Sequence, residues 1–307
     1  MGPHPTLASI LAAHGLEPSG SGPVFRTASG EYYGKTARGR AADQMRGEAA
    51  SLAAMLQTAP PGLVPKILGY VDADVSALVT EYASRGEGGG GGQAALGRAL
   101  AEMHRAPRPP RLPCAETGQV VGQDALDRLA AYTGQFGFTV PTHCGATEQD
   151  NTWTASWAVF FRERRLGDLV RRIGDARVDR AWARCNELAV PLLLDFTPAP
   201  VPVPLHGDLW PGNVAGTTIY DPAGYYGHGE ADLGMTRMFG GFSHAFYDAY
   251  HAIHPRSQPH YDQRIRLYEL YHHLNHALMF GGGYTGGALR IMDELSDWAE
   301  GVTAAQT

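Results

Sequence analysis

A small set of polar residues in this 307-residue chain has the types and spacing that phosphoryl transfer requires. The run LHGDLWPGNVAGTTIYDPAGYYG, residues 205–227, holds H-x-D-x-x-x-x-N as His206, Asp208 and Asn213, followed by Asp221. If residues 214–220 form a tight hairpin turning at Gly216, its ends lie side by side. The Asn213 amide oxygen and the Asp221 carboxylate then meet as hard oxygen ligands for Mg2+. Asp208 faces the same place as a base for an acceptor hydroxyl. Phosphoryl transfer asks a protein mainly for positioning and charge neutralisation, so a base, two metal-holding oxygens and a cation on the phosphates form the minimum set. Lys35 supplies the cation, and Glu48, thirteen residues later, is placed to pair with it.

These residues need elements to hold them. The stretch SGEYYGKT, residues 29–36, lacks only a first glycine to read as G-x-x-x-x-G-K-[ST]. A phosphate-cradling lysine of that kind sits where a loop enters a helix. Here VFRTA and EYYGK are extended runs joined at Ser29–Gly30, which is hairpin chemistry, so Lys35 ends a strand and the residues TARGRAADQ delay the next helix. That helix, 43–57, has Met45, Ala49, Leu52, Ala53 and Leu56 on one face and Glu48 on its flank. ALVTEYA, residues 77–83, reads as a buried strand, and RGEGGGGGQ after it reads as a hinge. From Gln93 the spacing of Leu96, Leu100 and Met103 marks a helix ending before Pro107. The remainder is mainly helical in period and is broken by a proline-rich bend at residues 197–204. The expected fold class is α+β and bilobal. An N-terminal lobe, 1–85, is rich in strand with one main helix, a glycine-rich hinge spans 86–92, and a larger helical C-terminal lobe spans 93–307.

Composition narrows the function. A formal charge of -6 and 18% charged residues argue against a general nucleic-acid grip and for a small-molecule or protein substrate. Cys114, Cys144 and Cys185 are odd in number and widely spaced, so neither a disulfide framework nor a zinc site is expected, and a reducing cytoplasm fits. No apolar run reaches the ~18 residues of a membrane span, and no secretory signal is read at the N-terminus.

With these residues in view, HGDLWPGN, DPAGYYGHGEADLGM, FGGF and YHHLNHALMFGGGY together resemble the fructosamine (ketosamine) kinase family, relatives of the aminoglycoside phosphotransferases within the protein-kinase-like fold. The tryptophan in HGDLWPGN and DPA in place of DFG resemble this family more than the broader group of choline and homoserine kinases. The resemblance covers roughly residues 20–287. It implies that Asp208 orients or deprotonates a sugar hydroxyl, that Asn213 and Asp221 hold Mg2+, and that Lys35 contacts the ATP phosphates with Glu48 behind it. The backbone of Glu81, Tyr82 and Ala83 would meet adenine, and a loop with Gly20 and Gly22 would cover the phosphates. Asp232 would brace the catalytic loop beside His206. Family members phosphorylate ketoamine adducts on proteins or small amines, and the unstable product releases the free amine. A monomer or weak dimer is expected.

Substrate contacts are less specific. Trp210 lies between the base and Asn213, where its face either stacks on a sugar's C–H surface or belongs to the core. His272, Asn275 and His276 lie on adjoining helical turns, and His272 and Asn275 are candidate substrate contacts. The i, i+4 histidine pair lacks the glutamate of H-E-x-x-H, so zinc is not expected there. Trp153, Trp157 and Phe160 have helical spacing and read as core. Two departures stand out: Gly229 occupies a position where relatives commonly carry arginine, and Gly34 precedes the lysine where an apolar residue is usual. The redox-linked loop cysteine of some relatives is absent, so redox control is not carried over. The competing readings are a kinase of another small alcohol, such as an aminoglycoside or choline, and a nucleotide-binding module without turnover, which the intact Lys35, Asp208, Asn213 and Asp221 oppose.

Overall fold

A computed structural model describes residues 3–17, 19, 22–83, 92–106, 123–195 and 197–305. A helix absent from the sequence reading comes first: α1 (Pro5–Ala13), with Pro5 in its first turn and the His4 ring accepting from the Thr6 amide at 3.3 Å. Strands β1 (Val24–Thr27) and β2 (Gly30–Ala37) form the expected hairpin. Lys35 does not end its strand; β2 continues two residues further, because it pairs along its length with β4 (Ser76–Glu81), where Lys35 lies opposite Leu78. Helix α2 begins at Arg40, earlier than expected, and runs to Leu56. Strand β3 (Ile67–Val71), unread in the sequence, completes an antiparallel sheet of order β1-β2-β4-β3. Leu7, Ile10 and Leu11 of α1 close one side of this sheet over Phe25, Ala77 and Val79.

Burial there explains Gly34. A Cβ at this position would stand 2.7 Å from Phe25 Cε2 and 3.2 Å from Leu7 Cδ2, so α1 and β1 already fill the space an apolar side chain would take.

The larger part contains α3 (Gly92–Met103), α4 (Gln123–Leu129), the hairpin β5–β6 (Thr142–Cys144, Thr147–Gln149), α5 (Trp157–Val159), a π-helical segment (Phe160–Gly167), α6 (Asp168–Ile173), α7 (Ala176–Leu188) and α8 (Val190–Leu194). After these come β7 (Val203–Leu205), the hairpin β8–β9 (Val214–Ala215, Thr218–Ile219), β10 (Tyr225–Gly227), α9 (Asp232–Met238), α10 (His244–His251), α11 (Tyr261–Phe280) and α12 (Gly283–Ala304). Trp157 and Phe160 are core, but Trp153 precedes the helix and is only partly buried, so the helical spacing of the three was fortuitous. The proline-rich bend ends in strand β7, which pairs with β10. Of the expected hinge, all but Gly92 lies outside the described residues.

Helix α2 is fixed against the larger part. A Cβ at Gly47 would approach the Pro141 carbonyl oxygen to 2.6 Å, so only glycine permits this contact. One turn on, the Ser51 hydroxyl accepts from the Gly224 amide at 3.1 Å, and Arg40 donates to the Ala146 carbonyl at 2.9 Å.

Candidate active site

Strand β7 delivers His206 and Asp208 into a loop braced from below. Asp232, at the start of α9, accepts from the amides of His206 (2.8 Å) and Gly207 (2.7 Å), and His104 Nε2 lies 3.1 Å from the same carboxylate. Burial opposes the charge of Asp232, yet hydrogen bonding from His104 and the Gly207 amide holds its carboxyl below the ordinary aspartate range. His206 is buried: its Nδ1 accepts from the Asp208 amide at 3.2 Å and its Nε2 donates to the Tyr220 carbonyl at 2.9 Å. Those two bonds fix one neutral tautomer, in accord with burial lowering its pKa. The other departure is explained here too. A Cβ at Gly229 would lie 3.0 Å from both His104 Nδ1 and the Tyr250 hydroxyl, themselves 2.8 Å apart, so an arginine would displace the pair that supports Asp232.

Residues 214–219 form the hairpin expected from spacing, with Val214 opposite Ile219. The Asn213 amide nitrogen donates to the Asp208 carbonyl at 3.0 Å and lies 3.5 Å from the Asp221 carbonyl, leaving the amide oxygen without a protein partner among the described residues. Asp221, in a left-handed conformation with φ 53°, keeps a largely solvent-facing carboxylate. The Asn213 amide oxygen and the exposed Asp221 carboxylate, at the ends of one hairpin, are a donor set suited to Mg2+.

On the facing sheet, Lys35 donates to Glu48, and its Nζ stands 3.5 Å from Asp221 Oδ1. Burial alone would lower the lysine's pKa, but Glu48 and Asp221 outweigh it and the ammonium is held above its ordinary value. Burial raises the Glu48 carboxyl, with Lys35 opposing. A cavity of about 280 Å³ opens here, lined by Tyr33, Leu52, Pro65, Thr80, Tyr220 and Asp221 together with Glu48 and the segment Glu81, Tyr82 and Ala83.

A second cavity, about 460 Å³, lies beyond Asp208. Its walls include Trp210, Phe239, Asn275, His276 and Phe280, with Cys144 at the back. Trp210 is 38% exposed and packs against Phe239 at 5.9 Å between ring centroids, so it is a cavity wall and not core. Asn275 reaches the cavity while its amide donates to the Cys144 carbonyl at 3.2 Å. His272 lies behind the wall, buried, and its imidazole is pushed down to about 3 by burial first and by His276 second. Burial pushes the Asp208 carboxyl up to about 6; the charges of Asp232 and Asp221 add to this, while hydrogen bonds from Asn213 and Cys144 oppose it. A carboxylate with that affinity for a proton, in the wall of the second cavity, suits a general base.

Residues 21–297 match the sequence profile of the fructosamine kinase family. The chain belongs to that family. The mouse (Mus musculus) ketosamine-3-kinase is 37% identical over 286 residues, covering 90% of this chain and 91% of the relative. Among solved structures, a Thermobifida fusca protein assigned as a fructosamine-3-kinase superposes with a TM-score of 0.71 at 23% identity, covering 95% of this chain and 98% of the other. The GDP complex of an aminoglycoside 2'-phosphotransferase superposes at 0.51 with 11% identity, over 95% and 98% of the two chains. The fold is the protein-kinase-like fold these phosphotransferases share.

In this member of the fructosamine kinase family, spacing located Lys35, Glu48, His206, Asp208, Asn213 and Asp221, and the resemblance added Asp232; the fold brings Lys35, Glu48, Asp208, Asn213 and Asp221 together, with His206 and Asp232 buried beneath the loop. Gly20 lies outside the described residues, and a Cβ at Gly22 would meet open space. His104, Tyr220, Cys144, Phe239 and His276 were not assigned to the site in the sequence. Only the FGGF and YHHLNHA runs offered a signal for the last two.

Proposed function

We propose that this chain is an ATP- and Mg2+-dependent ketosamine kinase that phosphorylates a sugar hydroxyl of fructosamine or ribulosamine adducts and so leads to deglycation. The observation that carries this reading is the position of Asn213. Its amide nitrogen is bonded to the backbone of Asp208, a wall of the aromatic cavity, and reaches toward that of Asp221, a wall of the cavity beside Lys35. One side chain thus couples an acceptor site to a nucleotide site. Mg2+-ATP, when bound, supplies the phosphoryl group and neutralises its developing charge.

The chain's own groups divide the remaining work. Asn213 and Asp221 would hold the metal through their free oxygens, and Lys35, kept in place by Glu48, would meet the phosphates. Tyr33, Leu52 and the 81–83 segment would receive adenine. Asp208, ionised above about pH 6, would orient the acceptor hydroxyl and take its proton. Trp210 would lie along the sugar, with the amine half of the adduct toward Phe239 and Phe280; Asn275 would contact the sugar, and His272 would act only through the wall it supports. His206 and Asp232 would hold the loop. We further assign residues 1–85 and 93–307 to two lobes joined at 86–92, a cytoplasmic location, glycated protein as well as free ketoamine as substrate, and a monomer or weak dimer.

Purified protein is incubated with Mg2+-ATP and a panel of fructosamine, ribulosamine, aminoglycoside and choline acceptors, following ADP and free amine. Ketoamine-dependent ADP with amine release, lost in Asp208→Asn, is the expected result. Turnover confined to the other alcohols would overturn the ketoamine assignment, and none with any acceptor would overturn the kinase reading.

A further inference from the structure

The back of the aromatic cavity holds chemistry that phosphoryl transfer does not use. Cys144 Sγ, a carboxylate oxygen of Asp208 and a ring nitrogen of His272 all lie within 4.8 Å of one another. Cys144, at the end of β5, is a free thiol and is 2% exposed, and His272, on α11, is 3% exposed. The Cys144 thiol lies beside the Asp208 carboxylate, and His272 Nδ1 is buried with no hydrogen-bond partner among the described residues. A buried ring nitrogen without a partner carries an unmet desolvation cost, so the packed wall does not use all of the His272 imidazole's polar capacity.

We propose that these three residues form a binding site for a borderline-soft divalent cation, Zn2+ in particular, and that filling it blocks the acceptor cavity. A thiolate, an imidazole and a carboxylate are a ligand set for zinc, with a fourth position left for water. That fourth position faces the cavity, whose walls include both Cys144 and Asp208. Tetrahedral ligand atoms stand roughly 3.3 to 3.8 Å apart, so closure asks each side chain to move by about 1 Å or less. Mg2+ is not drawn here, because it prefers an octahedral shell of oxygens and dehydrates reluctantly. The site is thus separate from the Asn213 and Asp221 oxygens although Asp208 adjoins both. On binding, the cysteine releases its proton to solvent, the imidazole contributes a lone pair, and the Asp208 carboxylate is taken up as a ligand and withdrawn from the acceptor hydroxyl.

Co2+ is the probe, added to the full-length protein without ATP. The wild-type chain is expected to bind one equivalent and to develop a thiolate-to-cobalt charge-transfer band in the near ultraviolet. Zn2+ should displace it. Cys144→Ser should abolish the band, His272→Gln should weaken binding about 10²-fold, and Cys114→Ser should retain it. The wild-type spectrum needs no variant to fold, and its lack of a thiolate band would overturn the site, as would a band surviving in Cys144→Ser. The inhibitory half rests on the kinase reading and is measured separately. Buffered free Zn2+ should suppress ketoamine-dependent ADP formation in wild type and do so about 10²-fold less potently in His272→Gln, each relative to its own zinc-free rate. A band with undiminished turnover would sink the inhibitory role, whereas a band in a protein that never turns over would sink only the kinase assignment.

Discussion

The Lys35 ammonium is shared: Glu48 of α2 accepts its hydrogen bond, and Asp221, at the end of the β8–β9 hairpin, lies 3.5 Å from it. The sheet, the helix and the catalytic segment therefore meet at one cation. Replacing Lys35 by Met should lower kcat about 10²- to 10³-fold and leave the mostly buried Glu48 carboxylate unpaired. A double-mutant cycle with Glu48→Gln, read by urea unfolding, should give a coupling of at least about 1 kcal/mol; a value near zero would mark an ordinary surface pair.

Asp208 sets a pH dependence of both rate and stability. With its carboxyl up to about 6, kcat/KM should fall as pH drops through that value. The sign for folding is opposite to that of a salt-bridged acid. Below about pH 4 the group is protonated in both states and contributes nothing. Between about 4 and 6 only the folded state keeps the proton, so stability declines as pH rises and stays lower above 6. Asp208→Asn should reduce kcat by about 10³-fold or more yet raise stability by about 1 to 3 kcal/mol at pH 8, with little gain at pH 4. Thermal melts of both proteins across this range are the check.

The brace under the loop gives a stability prediction. Asp232→Ala leaves two buried amides and the buried His104 ring short of an acceptor and should cost about 2 to 4 kcal/mol. Denaturant unfolding with an unchanged m-value is the measurement, and a loss under about 1 kcal/mol would contradict the assignment.

Trp210→Ala should raise the ketoamine KM about tenfold while leaving the ATP KM within about twofold, because its ring walls only the acceptor cavity. An equal rise in both constants would instead indicate a collapsed loop.

Gly34 tests the packing of α1. Gly34→Ala should destabilise by about 1 to 3 kcal/mol through its contact with Phe25, and the double variant with Phe25→Leu should lose less than the sum of the two. Full additivity would place the cost elsewhere.

The sequence made the catalytic loop legible because its residues lie within sixteen positions and the hairpin that folds them is set by local turn chemistry. Glu48 was legible because one amphipathic helix placed it. Strand β3 and helix α1 were not, since their burial depends on β4 and on Phe25 from distant positions. His104 was hidden for a similar reason: its partner Asp232 lies 128 residues away. Cysteine spacing argued against a zinc site, yet Cys144, Asp208 and His272 converge because β5, the catalytic loop and α11 pack at one point, which no local pattern records.

The contact at Gly47 has a mechanical meaning. With its backbone seated on Pro141 and Ser51 tied to Gly224, α2 cannot tilt outward as a unit without losing packing and a buried bond together. Switching this protein off by swivelling its glutamate-bearing helix is thereby disfavoured. Any shift of the four-stranded sheet relative to an α2 held in this way would fall on the Lys35–Glu48 bond, the polar link between strand and helix.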